Sequence, residues 1–129
     1  MKKILIVDDC PNVTMLCARL LERDGDFAVQ EENCGTAALA TALRFAPDLI
    51  LLDLELADMP GEDVAEELRA NDSLRDVPII VVTGSVTRDQ AGTIHPTIGH
   101  PLLPKPIIPE ELLRVVTETL NGPALSEAA

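Results

Sequence analysis

Leu49-Ile50-Leu51-Leu52 form an unbroken apolar run that ends on Asp53. A charge at the end of an apolar strand is costly if buried and cheap where the strand emerges. The pattern predicts a central strand, covered on both faces, that delivers Asp53 to the carboxyl edge of a sheet. Open parallel α/β sheets place their ligand sites at that edge. Other runs share the form. Ile4-Leu5-Ile6-Val7 ends on Asp8-Asp9, and Val77 to Val82 ends on Thr83. A short run, Pro101 to Pro104, is followed by Lys105. Phe27 to Glu31 is less apolar and reads as an edge strand.

Helical spacing fills the gaps between these runs. After Pro11, a good first-turn residue, come Val13, Leu16, Cys17, Leu20 and Leu21, with Gly25 as the stop. Ala37 to Phe45 reads as a second helix ended by Pro47, and Glu62 to Asn71 as a third. Ser85 to His100 is polar and broken by Gly92, Pro96 and Gly99, leaving room for a turn or two of helix over Thr87 to Thr93. A last helix is expected over Pro109 to Leu120, stopped by Asn121-Gly122-Pro123. Strand and helix thus alternate five times, which predicts an α/β fold with a parallel sheet and helices on both faces. Residues 1–121 are expected to form the domain, with 122–129 as a tail or the start of a linker.

Composition narrows the picture. Apolar residues make up 47% of 129, but aromatics only 2%, so the core must be aliphatic. The 22 acidic against 10 basic residues give a net charge of -12. That excludes non-specific binding to nucleic acid or to an anionic membrane, both of which need a basic surface. The apolar run after Lys2-Lys3 is too short for a signal peptide, and no run reaches membrane-spanning length. A cytoplasmic location is the expectation. Cys10, Cys17 and Cys34 form no C-x-x-C and no even framework, and they read as reduced thiols, Cys17 as core.

In a parallel sheet the strand ends carrying Asp8-Asp9, Asp53, Thr83 and Lys105 share one edge. Three carboxylates there would repel one another and raise at least one pKa. A hard divalent cation suits such oxygen ligands, and Mg²⁺ characteristically adds water and a phosphate oxygen. Lysine supplies a compact positive charge and threonine a hydroxyl. Together these groups are what phosphoryl transfer onto an aspartate requires. Each has a plain reading taken alone: Asp8-Asp9 as a helix-capping turn, Thr83 as a strand residue, Lys105 as a surface lysine. Glu31-Glu32 and Glu66-Glu67 read as solvated faces, and His95 and His100 as part of a solvated loop.

The chain resembles the receiver domain of bacterial two-component response regulators, of the chemotaxis-type single-domain kind. The resemblance covers residues 2–121. It rests on I-L-I-V-D-D at 4–9, P-D-L-I-L-L-D-L at 47–54, Gly61, P-I-I-V-V-T-G at 78–84 and K-P at 105–106. It implies a doubly wound, flavodoxin-like (βα)5 fold with strand order 2-1-3-4-5. It makes Asp53 the phosphoacceptor, Asp9 a direct Mg²⁺ ligand, Asp8 a supporting one, and the main-chain carbonyl of Glu55 a further ligand. Thr83 and Lys105 would contact the phosphoryl group, with a cis peptide to Pro106, and Gly84 would leave the group room to enter. Such a domain catalyses its own phosphorylation and dephosphorylation without being a conventional enzyme. Its partners would be a sensor histidine kinase or a histidine phosphotransferase, and a downstream protein target.

The chain departs from the family pattern in several places. Ala57 stands where the family usually has proline, Leu102 where it has the switch aromatic, and Ile98-Gly99 where it has Gly-Ala. These departures motivate a second reading, a docking module whose binding ignores phosphorylation. An aspartate-based phosphatase, with Glu55 as the second acid, is a weaker third. Glu55 and Ser85 flank the site and are placed to tune the lifetime of a phosphoaspartate.

Overall fold

The structure, a computed structural model, describes residues 1–24, 26–96 and 98–128, with side chains as far as Asn121. Gly25, read above as a helix stop, lies outside them. Five strands, β1 (Lys3–Val7), β2 (Ala28–Glu32), β3 (Leu49–Asp53), β4 (Ile79–Thr83) and β5 (Leu102–Pro104), form one parallel sheet in the order β2-β1-β3-β4-β5. Four α-helices pack on it: α1 (Pro11–Asp24), α2 (Ala38–Phe45), α3 (Gly61–Ala70) and α4 (Pro109–Ala128).

The apolar runs become central strands because successive side chains alternate between the two faces. Ile4, Ile6, Leu49, Leu51, Ile80 and Val82 meet α1 and α4 through Leu21, Leu112 and Val116. Leu5, Val7, Ile50, Leu52, Ile79 and Val81 meet α2 and α3 through Ala42, Val64 and Leu68. Every residue of β3 and β4 is buried, which fixes their register and therefore the height at which Asp53 and Thr83 emerge. β2 lies at the edge and is half exposed, as its mixed composition implies.

The structure changes several sequence readings. The fourth strand-helix repeat is incomplete, because a single 3-10 turn, Arg88–Gln90, stands in place of the helix between β4 and β5. Beyond it the chain folds back on itself. Gly92 N–H donates to Leu102 O, Leu102 N–H to Thr93 O, and His95 N–H to His100 O, each at 2.8 Å. Ile94 bridges Pro101 antiparallel, and Gly92 and Gly99 take left-handed φ values of 83° and 80°. Too few apolar residues fall at helical spacing here for a helix to bury a face. His95 and His100 are therefore half-buried rather than solvated. His100 is held below the ordinary imidazole pKa by burial and by the charge of Arg69.

Glu32 is likewise no solvated residue. Its carboxylate accepts from the Thr41 hydroxyl and from Cys34 N–H, while exposed Glu31 accepts from the Thr14 hydroxyl. At the other end of the chain, α4 runs on to Ala128 past the Gly-Pro pair expected to stop it. The residues beyond that pair, Ala124, Leu125, Glu127 and Ala128, are good helix formers. Leu102 is fully buried core. Cys17 is buried too, and burial together with the nearby Asp8 charge pushes its thiol up to about 11, leaving it unreactive.

Candidate functional site

The carboxyl edge gathers side chains from four strands. Asp8 and Asp9 follow β1, Asp53 closes β3, Thr83 closes β4, and Lys105 follows β5. Asp8, Asp53 and Thr83 are buried at 3%, 1% and 2% exposure, so their polar atoms must find partners within the protein. The ladder puts these ends side by side, with Asp53 opposite Val82 and Thr83 opposite Pro104.

Both oxygens of Asp53 are engaged. Oδ1 accepts from Glu55 N–H at 2.9 Å, and Oδ2 from Lys105 Nζ at 3.0 Å. Lys105 Nζ also lies 3.6 Å from Asp8 Oδ2. Burial alone would lower the lysine's pKa, but the hydrogen bond to Asp53 and the charges of Asp8, Asp53 and Glu55 outweigh it and raise the pKa. Asp8 shifts upward as well. Burial is the main cause, aided by the charges of Asp53 and Asp9, and is opposed by Cys10 N–H and by Lys105. Cys10 N–H donates to Asp8 Oδ1 at 2.9 Å, so Asp8 also serves the helix-entry turn that its plain reading implied.

Ligand oxygens of Asp8, Asp9 and Asp53 all lie within 4.8 Å of one another. Three carboxylates so close, with Lys105 as the paired cation, leave uncompensated negative charge. All-oxygen donors and an excess of negative charge are the conditions a small hard cation satisfies. The structure thus brings together Asp8, Asp9, Asp53, Thr83 and Lys105, as expected from the sequence. The Lys105–Pro106 peptide is cis.

Glu55 contributes more than was read from the sequence. Its carboxylate accepts from the Thr83 hydroxyl at 2.7 Å and from Gly84 N–H at 3.2 Å. A phosphoryl oxygen on Asp53 would need these same two donors. Three further residues support the site without any legible sequence signal. Asn33 Nδ2 donates to Asp8 O at 2.7 Å. Asp58 accepts from Gly35 and Thr36 N–H, tying the loop after β3 to the one after β2. Arg88 braces the chain on either side of Lys105. Each is a polar residue in a loop, where neither periodicity nor spacing marks a role.

Gly61 explains how the loop after Asp53 closes. A Cβ there would lie 2.5 Å from Asp53 O and 2.6 Å from Leu54 Cα, so only glycine lets α3 start this close to β3. Gly61 N–H donates to Leu54 O at 3.1 Å.

This fold and site define a receiver. The response regulator receiver domain family matches residues 4–117, and the chain belongs to that family, whose members are phosphorylatable switches of two-component signalling. It is 30% identical to Protein PilH of Pseudomonas aeruginosa over 95% of this chain and all of that one. It is 37% identical to the DNA-binding dual master transcriptional regulator RpaA of Synechocystis over 64% of this chain, but spans only 34% of that protein. Among solved structures it is similar to the receiver domain of the sensor histidine kinase PA1611 of Pseudomonas aeruginosa. That similarity has a TM-score of 0.78 and 28% identity, over 93% of this chain and 98% of that one. That receiver holds a magnesium ion coordinated in its active-site cleft. No helix among the described residues is long and apolar enough to cross a membrane.

Proposed function

We propose that Asp53 is the phosphoacceptor of this receiver. The observation that carries the reading is the Lys105–Asp53 pair at 3.0 Å set beside two further carboxylates and the Thr83 hydroxyl. A carboxylate oxygen of Asp53 attacks phosphorus, the bond from phosphorus to the donor breaks, and the donor leaves with that electron pair. With a phosphohistidine donor the leaving group is imidazole, protonated as it departs. Lys105 balances charge on the transferring oxygens, and Thr83 donates a hydrogen bond to one of them. Asp8, Asp9 and Asp53 would hold Mg²⁺ together with the main-chain carbonyl of Glu55. The ion supplies neutralisation of the phosphoryl charge.

The donor in this reading is a histidine kinase or histidine phosphotransferase, and the product is recognised by a protein target in the cytoplasm. Phosphorylation adds about -1.5 to -2 charge near neutral pH, enough to bias a two-state surface. Binding that ignores phosphorylation gives no reason to keep three repelling acids together, so the docking reading is the weaker one. The test is intact-mass measurement after incubation with Mg²⁺ and a small phosphodonor. A phosphoryl increment that Asp53→Asn abolishes supports the reading, and an increment retained by that variant overturns it.

A further inference from the structure

Arg88 sits on the 3-10 turn between β4 and β5, outside the acidic cluster. Its guanidinium donates from Nη1 to Pro106 O at 2.7 Å, and from Nη2 to Pro104 O and Pro106 O, both at 2.8 Å. The same Nη2 lies 2.9 Å from Glu111 Oε1 on the first turn of α4. The two carbonyls bracket Lys105. Proline has no N–H, so residues 104–106 offer a single backbone donor, Lys105 N–H, which goes to Thr83 O at 2.9 Å. Arg88 ties down the chain on both sides of that one bond. It does so at a cost. Its Nε–H is shielded from solvent and has no partner among the described residues, and such an orphaned donor is destabilising.

We infer that Arg88 is a positioning residue for Lys105. The two-carbonyl brace sets where the lysine ammonium reaches Asp53, and the ion pair to Glu111 joins that brace to the first turn of α4. A planar fork of donors is needed to reach two carbonyls and a carboxylate at once. Lysine, with its compact charge, cannot replace it. The part of the inference that concerns phosphoryl recognition rests on the function proposed above.

The test uses the full chain labelled at lysine ε-carbons. The sequence has three lysines, Lys2, Lys3 and Lys105, so three signals are expected, and Lys105→Arg assigns the third. In Arg88→Ala, and in Arg88→Lys, whose fourth lysine signal is told apart by adding Lys105→Arg, the Lys105 signal should move towards the position of a solvated lysine. Glu111→Gln, which keeps the carbonyl contacts, should leave it in place. Mg²⁺ affinity should stay within about twofold of wild type in all three variants, while beryllofluoride affinity in the presence of Mg²⁺ should fall roughly tenfold or more in the two Arg88 variants. An unmoved Lys105 signal in Arg88→Lys, or an equal shift in Glu111→Gln, overturns the inference. A wild-type chain that binds no beryllofluoride, yet shows the expected Lys105 shifts, overturns the phosphoryl reading and leaves the positioning role supported.

Discussion

The Thr83 hydroxyl donates to Glu55 Oε2 at 2.7 Å. Glu55 thereby places a carboxylate where a phosphoryl group on Asp53 would seek its donors, and Gly84 N–H completes the mimicry. Glu55 is exposed, so releasing it to water costs little. Removing it should favour an incoming anion. In Glu55→Ala, beryllofluoride should bind about fivefold more tightly, on the order of 1 kcal/mol. Titration calorimetry in Mg²⁺ checks this, and unchanged or weaker binding would show that Glu55 does not compete.

Asp8 gives a pH prediction. Its folded pKa is raised above the ordinary 3.8, chiefly by burial, so the folded state binds its proton more readily than the unfolded state does. Charged Asp8 is thus a destabilising group at neutral pH, and that penalty is relieved as pH falls through the raised pKa. Without metal, Asp8→Asn should stabilise the fold at pH 7 by an amount on the order of 1 kcal/mol. The gain should shrink at lower pH, as wild-type Asp8 takes up its proton. Urea unfolding at several pH values measures it, and a gain independent of pH would assign the effect to something other than titration.

Mg²⁺ should raise the melting temperature of the wild-type chain at millimolar concentration, because a ligand that binds only the folded state stabilises it by mass action. Asp9 supplies one oxygen of the cluster while remaining half exposed, so Asp9→Ala should fold and lose that response. A full response in the variant would place the metal elsewhere.

Gly61 and Gly84 should separate sharply. A Cβ on Gly61 meets the backbone at 2.5 Å, whereas one on Gly84 lies 4.0 Å from its nearest neighbour, Lys105 Cβ. Gly61→Ala should cost about 1–3 kcal/mol of stability, and Gly84→Ala should leave stability nearly unchanged. Chemical denaturation of both variants checks the contrast. Equal effects would contradict the claim that Gly61 sets the approach of α3 to the Asp53 strand.

Most of this arrangement was legible in the residues. Buried parallel strands are near-continuous apolar runs, so Ile4–Val7, Leu49–Leu52 and Ile79–Val82 marked themselves, and their ends named the site. Arg88 and Asn33 were not legible. Their roles lie in reaching backbone carbonyls across loops, and no spacing rule encodes such contacts. The hairpin-like segment at 92–102 escaped for a related reason. Two left-handed glycines and edge hydrogen bonds to Leu102 hold it, with little apolar periodicity to read. Glu55 was seen as a neighbour of the site, but its hold on Thr83 depended on a rotamer that the sequence does not specify.

The central claim is that Asp53 takes up a phosphoryl group. Incubation with Mg²⁺ and a small phosphodonor, followed by peptide-level mass measurement, tests it most directly. The expected result is a single phosphoryl increment on the peptide containing Asp53, absent from Asp53→Asn and reduced in Lys105→Ala. No increment under conditions that label an ordinary receiver, or one carried by a different residue, would contradict the account.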